Sequence, residues 1–271
     1  MSRIWLYSVS IDGREAQHNS IRLGTDLGKI REGLVRLKEV RQGPVLVWST
    51  LREGQSLLDC FEEFLELKKE GCVEHFFWHW IETREVLSSL GEYAPRYEEE
   101  LRHIMDLYCD ALASGEPLSI VHINELLLYL LTGRTRKTTG CGVEVEGNYD
   151  IMGGRIYTCA DMPMAEAIGL IREDGTPLLD KGDLSPFISY KADLGCYECG
   201  VHAYCGGRCP VQGLLSGAER LIQYCQLMRL HVGCVIEYLP RITEIMAHWD
   251  IPLQRIYDES AFFAQFTDVT P

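Results

Sequence analysis

Residues 196–210 read CYECGVHAYCGGRCP, and this stretch decides the architecture of the second half of the chain. Its four cysteines follow the spacing C-x2-C-x5-C-x3-C. Thiolates this close together on a glycine-rich backbone can converge on one metal centre. Gly200, Gly206 and Gly207 lie where bare backbone could donate N–H hydrogen bonds to sulfide. The stretch therefore predicts a loop-rich unit that metal holds together.

Three more cysteines flank this stretch, Cys141 and Cys159 before it and Cys225 after it. With a glycine in the first interval, the full pattern is C-x12-G-x4-C, a gap, C-x2-C-x5-C-x3-C, a gap and C. Seven thiolates exceed one four-coordinate site, so the pattern predicts two centres. Pro210 directly after Cys209 matches the ending of bacterial ferredoxin motifs, which favours iron–sulfur clusters. A zinc ribbon, which also uses paired CxxC, is the alternative.

Composition limits the class of protein. The chain has 271 residues, 46% of them hydrophobic, which is enough for one large domain or two modest ones. A formal net charge of -14 argues against nucleic acid as a partner and would suit a basic peptide. The start does not resemble a signal peptide, and no apolar run is long enough to cross a membrane. We therefore expect a cytoplasmic protein whose eleven cysteines serve metal binding rather than disulfides.

Strand and helix signals alternate in the first third of the chain. Apolar, β-prone runs predict strands over residues 4–11, 44–49 and 73–81, and the apolar run over 118–123 closes this region. Amphipathic spacing predicts helices from Thr25, over 56–70 with Ser56 as its cap, and over 97–112. This alternation predicts an α/β fold with a parallel sheet covered by helices. The chain carries about three β/α units, too few to close a barrel.

The character of the sequence changes near residue 134. Glycine, aspartate, proline and cysteine become frequent, and helical periodicity returns only after Leu214. Two helices are then predicted, over residues 218–231 and 235–248. We accordingly divide the chain into 1–133, 134–230 and a helical tail over 231–271.

The cysteine pattern resembles the SPASM domain of radical S-adenosylmethionine enzymes, which modify ribosomally made peptides and proteins. The resemblance implies two auxiliary 4Fe-4S clusters, the first held by Cys141, Cys159 and Cys209. It assigns to the second cluster the remaining four cysteines: Cys196, Cys199, Cys205 and Cys225. Residues 142–150 add no cysteine, so the resemblance leaves one iron of the first cluster open to a substrate thiolate. A fixed ligand is the alternative there: Glu144, Glu146, Asp150 or Cys234.

The N-terminal third carries the same resemblance. Residues 9–13 (VSIDG), with His18 and Arg22, resemble the fourth strand of the radical enzyme barrel and its following loop. The runs PVLVWST and VEHFFWHWIE resemble the fifth and sixth strands. The implied fold is a partial parallel (β/α) barrel followed by the SPASM domain and C-terminal helices. The resemblance further implies that Ser10, Asp12 and Arg22 contact S-adenosylmethionine or substrate; ordinary turn residues are the alternative.

One element of the family pattern is absent from the sequence. The CxxxCxxC motif, whose thiolates hold the cluster that cleaves S-adenosylmethionine, does not occur. The chain thus resembles the C-terminal portion of such an enzyme, as a truncated frame, a split half or a remnant, and we expect it to be inactive alone. S-adenosylmethionine would bind only if a complementing N-terminal half were supplied. The other implied partners are a peptide or protein substrate and an electron donor.

Several further residues allow two interpretations. Asp161 resembles a carboxylate that some relatives use as a base, but loop aspartates are common. A trio of His75, His79 and Glu82 could bind metal, although a substrate-facing barrel wall is the simpler interpretation.

The remaining cysteines and an acidic run have simple structural interpretations. Cys60, Cys72 and Cys109 lie in apolar patterns, where free cysteine acts as a small hydrophobe. The glutamates over residues 98–100 suit a solvated first helical turn.

Two functions of different classes follow. One is a portion of a peptide-modifying radical enzyme, and the other is a non-catalytic iron–sulfur module that binds a peptide or transfers electrons. The missing CxxxCxxC favours the second for the chain in isolation.

Overall fold

The computed structural model describes residues 4–145, 149–259 and 271. A four-stranded parallel sheet in the order β1-β2-β3-β4 organises the first half. Its strands are β1 (Tyr7–Ser10), β2 (Val45–Leu51), β3 (His75–Trp80) and β4 (Ser119–Ile120). The first three overlap the predicted strands, which confirms the predicted parallel sheet, and β4 lies in the apolar run over 118–123.

The helices of the first half are α1 (Glu15–Ile21), α2 (Leu27–Val40), α3 (Leu57–Lys69), α4 (Leu90–Ala113) and α5 (Val121–Thr132). Helices α1 to α4 connect these strands as crossover connections require, and α5 follows the last strand. Asp26 caps α2 by accepting a hydrogen bond from the Lys29 amide at 2.9 Å. Ser56 caps α3 in the same way, as predicted, at 3.0 Å from the Asp59 amide.

Helix α4 begins at Leu90, well before the predicted start at Tyr97. Pro95 lies past the first turn, where proline is unfavourable, but the burial of Tyr93 and Tyr97 on either side of it carries the helix through. Glu100 therefore lies in mid-helix, and the interpretation of residues 98–100 as a solvated first turn is wrong. The Glu100 carboxylate accepts hydrogen bonds from the Leu57 and Leu58 amides at the start of α3.

The two faces of the sheet differ. On one face Val47, Phe76 and Trp78 are fully buried and belong to the main core with the flanking helices. The other face carries a smaller cluster of Leu46, Phe77 and Val121. The edge strand β1 exposes Ser8 and Ser10 on this second face. The second face is therefore the more accessible one.

The cysteine-rich region contains more regular structure than the sequence predicts. Four short strands form an antiparallel sheet in sequence order: β5 (Asp150–Met152), β6 (Arg155–Tyr157), β7 (Gly169–Ile171) and β8 (Pro177–Leu179). Three short helices follow: α6 (Tyr190–Asp193), α7 (His202–Cys205) and α8 (Pro210–Leu215). This region has its own apolar cluster, separate from the main core.

One long helix, α9 (Ala218–His248), replaces the two predicted helices, and α10 (Leu253–Asp258) follows it. The predicted break near Gly233 is wrong because Val232, Cys234 and Val235 are buried in the main core. That burial outweighs the roughly 1 kcal/mol that glycine costs in a helix. The proposed boundary at 230/231 falls inside α9. Among the described helices, none combines the length and apolar character needed to span a membrane.

Candidate metal centre

Four cysteines from three separate elements line one small cavity of about 30 Å³. Cys196 begins a short 3-10 turn, and Cys199 ends it. Cys205 is the last residue of α7, and Cys225 lies in the second turn of α9. The fold therefore brings together the cysteines that the resemblance groups as Cys196, Cys199, Cys205 and Cys225.

Local backbone geometry shapes this cavity. The Cys205 thiol accepts hydrogen bonds from the backbone amides of Gly207 and Arg208. Gly206 has a φ of 68°, and a β-carbon there would lie 2.2 Å from the Thr138 carbonyl oxygen. Close packing against another loop therefore requires this glycine. Donation from the Gly200, Gly206 and Gly207 amides to cluster sulfide stays a prediction.

Burial favours the neutral form of three thiols in the cavity: Cys196, Cys205 and Cys225. Burial, with the other three cysteines nearby, raises the pKa of Cys196 to about 11. Burial also raises the pKa of Cys205 and Cys225. Arg229 donates to the Cys199 sulfur at 3.7 Å, and this hydrogen bond raises the pKa of the guanidinium. Metal would displace protons from such thiols on binding.

The three cysteines assigned to the first cluster share a different apolar environment. Cys209 is buried in the second apolar cluster, and Cys141 and Cys159 pack against that cluster. Cys209 is the N-cap residue of α8, and its side chain makes no capping hydrogen bond to that helix. The Cys159 sulfur accepts the Asp161 amide. Four cysteines thus line one cavity and the other three border one apolar cluster, and the assignment of each set to a 4Fe-4S cluster stays a prediction.

The candidates for a fourth ligand to the first group differ in position. Cys234 is buried in the main core beside Arg102, so its proposed role as a spare ligand is wrong. The Glu144 carboxylate already accepts from the Thr139 amide and hydroxyl, both at 2.5 Å. Asp150 is exposed on β5 and acts electrostatically on Cys159. Glu146 lies outside the described residues.

Asp161 is exposed beside Cys159. The structure connects the two residues through the backbone amide and through electrostatics. Its predicted role as a base remains a prediction.

The cysteine-rich region docks on the segment that follows β3. Gln212 donates to the Thr83 carbonyl at 2.7 Å, and Arg220 donates to the Ile81 carbonyl at 2.9 Å. Tyr224 also bonds to the carbonyl oxygens of Trp80 and Ile81. Ligands of parallel α/β sheets bind beyond the carboxyl ends of the strands. Both groups of cysteines therefore lie beside the end of the sheet where ligands are expected.

Of the N-terminal candidates for S-adenosylmethionine or substrate contact, some already make structural contacts. Asp12 is fully buried, and its carboxylate accepts from Arg22 at 2.8 and 3.2 Å and from the Thr50 amide at 2.8 Å. This carboxylate holds the end of β1 next to the end of β2. Because it is buried in these contacts, Asp12 is not a solvent-facing turn residue. Ser10 is exposed, and the Arg22 side chain is 26% exposed to solvent.

His75, His79 and Glu82 do not form a trio. His75 Nδ1 lies 2.7 Å from the Ser119 hydroxyl, whereas His79 Nε2 lies 2.8 Å from the Thr50 hydroxyl. Glu82 pairs with Arg208 at 3.8 Å. The metal interpretation of the trio is therefore wrong.

The other predicted core cysteines are confirmed. The structure buries Cys60, Cys72 and Cys109 in the main core.

Sequence reasoning missed a set of buried cations around the four-cysteine cavity. Lys191, Arg208 and Arg220 are 3%, 5% and 0% exposed. Arg208 and Arg220 both stack on Tyr224, with ring-centroid distances of 4.5 and 4.0 Å. Arginine and lysine are usually exposed, so residue type gave no signal. Their position among the cysteines was the available signal.

Comparison with known proteins gives similarity at the level of structure. No protein-family profile and no curated protein matches the sequence. Solved structures of anSMEcpe, an anaerobic sulfatase-maturating enzyme of the radical S-adenosylmethionine SPASM type, match most of the chain. The structure with bound AdoMet has a TM-score of 0.65 and 16% identity, and the match covers 86% of this chain and 67% of that one. The structure with AdoMet and the Cp18Cys peptide has a TM-score of 0.67 and 17% identity, and the match covers 90% of this chain and 70% of that one. The fold of this chain is therefore similar to that of a radical S-adenosylmethionine enzyme over most of its length, as the resemblance in the sequence predicts.

Proposed function

We propose that the chain is the iron–sulfur cluster-binding portion of a radical S-adenosylmethionine enzyme that modifies a ribosomally made peptide or protein. The observation that carries the proposal is the single cavity lined by Cys196, Cys199, Cys205 and Cys225. The resemblance in the cysteine pattern groups the same four residues independently of this cavity. Similarity to an enzyme with a bound peptide supports a peptide as the substrate class.

The residues present fit 4Fe-4S clusters. Four thiols line one cavity. Zinc and iron–sulfur clusters both take thiolate ligands, and the ferredoxin-like Cys209-Pro210 ending of the pattern favours the cluster. Cys141, Cys159 and Cys209 would hold the other cluster. Such clusters supply one-electron chemistry or an iron that a substrate atom can bind.

The surrounding residues define where a substrate would lie. Ser10, Thr50 and His79 come at or near the carboxyl ends of adjacent strands, beside the docked cysteine-rich region. We assign substrate or cofactor contact to this end of the sheet, with Ser10 and Arg22 as the accessible candidates. The net charge of -14 favours a basic peptide.

Cysteine substitutions test the proposal. Cys199→Ala should remove the second cluster preferentially, and Cys159→Ala should remove the first. Cys234→Ala is the matched control, since Cys234 is a buried cysteine of the main core, and it should retain both clusters. Iron analysis and electron paramagnetic resonance of the reduced proteins measure the outcome. Equal loss of both clusters in Cys199→Ala, or cluster loss in Cys234→Ala, would contradict the assignment.

A second candidate function is a non-catalytic iron–sulfur module that binds a peptide or transfers electrons. The absence of CxxxCxxC from the sequence favours it for the chain alone. Under this proposal S-adenosylmethionine chemistry would require a complementing chain that supplies the missing thiolates.

A further inference from the structure

A concentration of buried positive charge surrounds the four-cysteine cavity. Arg220 is fully buried, and its Nε and Nη1 atoms have no hydrogen-bond partner among the described residues. Lys191 is also buried, and its charge acts on Cys196. Buried cations are costly unless negative charge compensates them. Four thiolates in the cavity would provide that compensation.

Arg208 has a special place in this set because it lies between the two groups of cysteines. Its backbone amide donates to the Cys205 sulfur, and its guanidinium also acts electrostatically on Cys209 and Cys225. Cys205 and Cys225 belong to one group, and Cys209 belongs to the other. One buried charge therefore faces both candidate clusters.

The backbone at Arg208 is in an uncommon conformation. Its φ is 70°, in the left-handed region that non-glycine residues rarely adopt. The surrounding contacts hold it there: the guanidinium stacks on Tyr224 at 4.5 Å, and Nη2 lies 3.8 Å from the Glu82 carboxylate. Strained residues of this kind persist when their surroundings over-determine them, and they cluster at functional sites.

We propose that Arg208 is a positioning residue shared by both clusters, and that its charge raises the reduction potential of each. The inference rests on the proposed function, because it requires clusters in both groups. In the step concerned, dithionite supplies one electron, and each oxidised cluster gains one unit of negative charge on reduction. A nearby positive charge stabilises the reduced form more than the oxidised form.

Substitutions at Arg208 test the proposal in the reconstituted full chain. Arg208→Asn removes the charge and suits the backbone, because asparagine tolerates positive φ. Arg208→Lys keeps the charge. Arg229→Gln is the matched control, because Arg229 is exposed and contacts Cys199 of the second group. Redox titration followed by electron paramagnetic resonance reports each cluster separately.

The expected result distinguishes a shared charge from a structural role. Arg208→Asn should lower the reduced-to-oxidised ratio of both clusters at a fixed potential by about tenfold, which is about 59 mV for one electron. Arg208→Lys should restore most of that ratio. Arg229→Gln should change only the second cluster, and by less, because solvent screens an exposed charge.

Unchanged ratios in Arg208→Asn, or a change in one cluster only, would overturn the proposal. If Arg208→Asn does not retain both clusters, Glu82→Gln is the second variant. Removal of this opposing carboxylate should raise the reduced fraction of both clusters, and no change in either would equally overturn the proposal. A wild-type chain that binds no cluster refutes the proposed function instead, so the two failures are distinguishable.

Discussion

His75 is kept neutral by its position in the sheet. Burial lowers its pKa from 6.5 to about 4, although Glu74 partly opposes the shift. Since the unfolded chain binds a proton near pH 6.5, stability falls as the pH drops from 6.5 towards 4. We expect wild type to lose about 1.4 kcal/mol of unfolding free energy per pH unit more than His75→Gln in this window. Denaturant titrations at about pH 7.5 and 5.5 measure the difference, and equal losses would contradict it.

For single residues, the sequence identifies candidate metal ligands better than it identifies buried charged side chains. The spacing around Cys199 and Cys205 marks metal ligands because few other roles need thiols that close together. The burial of Lys191 and Arg208 has no such local mark, since it depends on packing between distant elements. Asp12 shows the same limit, because its contact with the Thr50 amide joins strands that are far apart in sequence.

Helices α3 and α4 are coupled by Glu100. Its carboxylate lies 2.6 Å from the Leu57 amide and 3.2 Å from the Leu58 amide, at the N-terminal end of α3. The first backbone amides of a helix have no hydrogen-bond partner within the helix. We expect Glu100→Ala to lower the free energy of unfolding by about 1–2 kcal/mol. The control Glu99→Ala alters an exposed residue of the same helix and should change it by less than about 0.5 kcal/mol. Equal effects in urea denaturation would show that Glu100 does not cap α3.

Helices and strands with a strong hydrophobic period were predictable from the sequence, whereas short or interrupted ones were not. Strand β2 and helix α3 combine apolar spacing with clear boundaries, such as the Ser56 cap. Pro95 and Gly233 resemble breakers, yet tertiary packing carries α4 and α9 through them. Strands β5 to β8 have three residues each, too few to show alternation.

At the scale of the whole molecule, the cysteine-rich region docks at the carboxyl end of β3 and brings both candidate clusters beside the sheet. The segment that follows β3 connects the two parts, because its carbonyls accept from Gln212, Arg220 and Tyr224. This arrangement would place the proposed clusters next to the proposed substrate region.

The catalytic competence of the chain in isolation is a separate prediction. The 271 residues contain no CxxxCxxC, so the purified chain should not cleave S-adenosylmethionine reductively. Anaerobic incubation with dithionite, followed by chromatography for 5′-deoxyadenosine, tests this against a no-protein control. Product above that control would contradict the prediction and favour an enzyme complete in this chain.

The central claim is that the two groups of cysteines each hold an iron–sulfur cluster. The most direct test is the metal and sulfide content of anaerobically reconstituted protein. Two 4Fe-4S clusters predict a brown protein with about eight iron and about eight sulfide per chain. A colourless protein that retains stoichiometric zinc and no sulfide would contradict the claim.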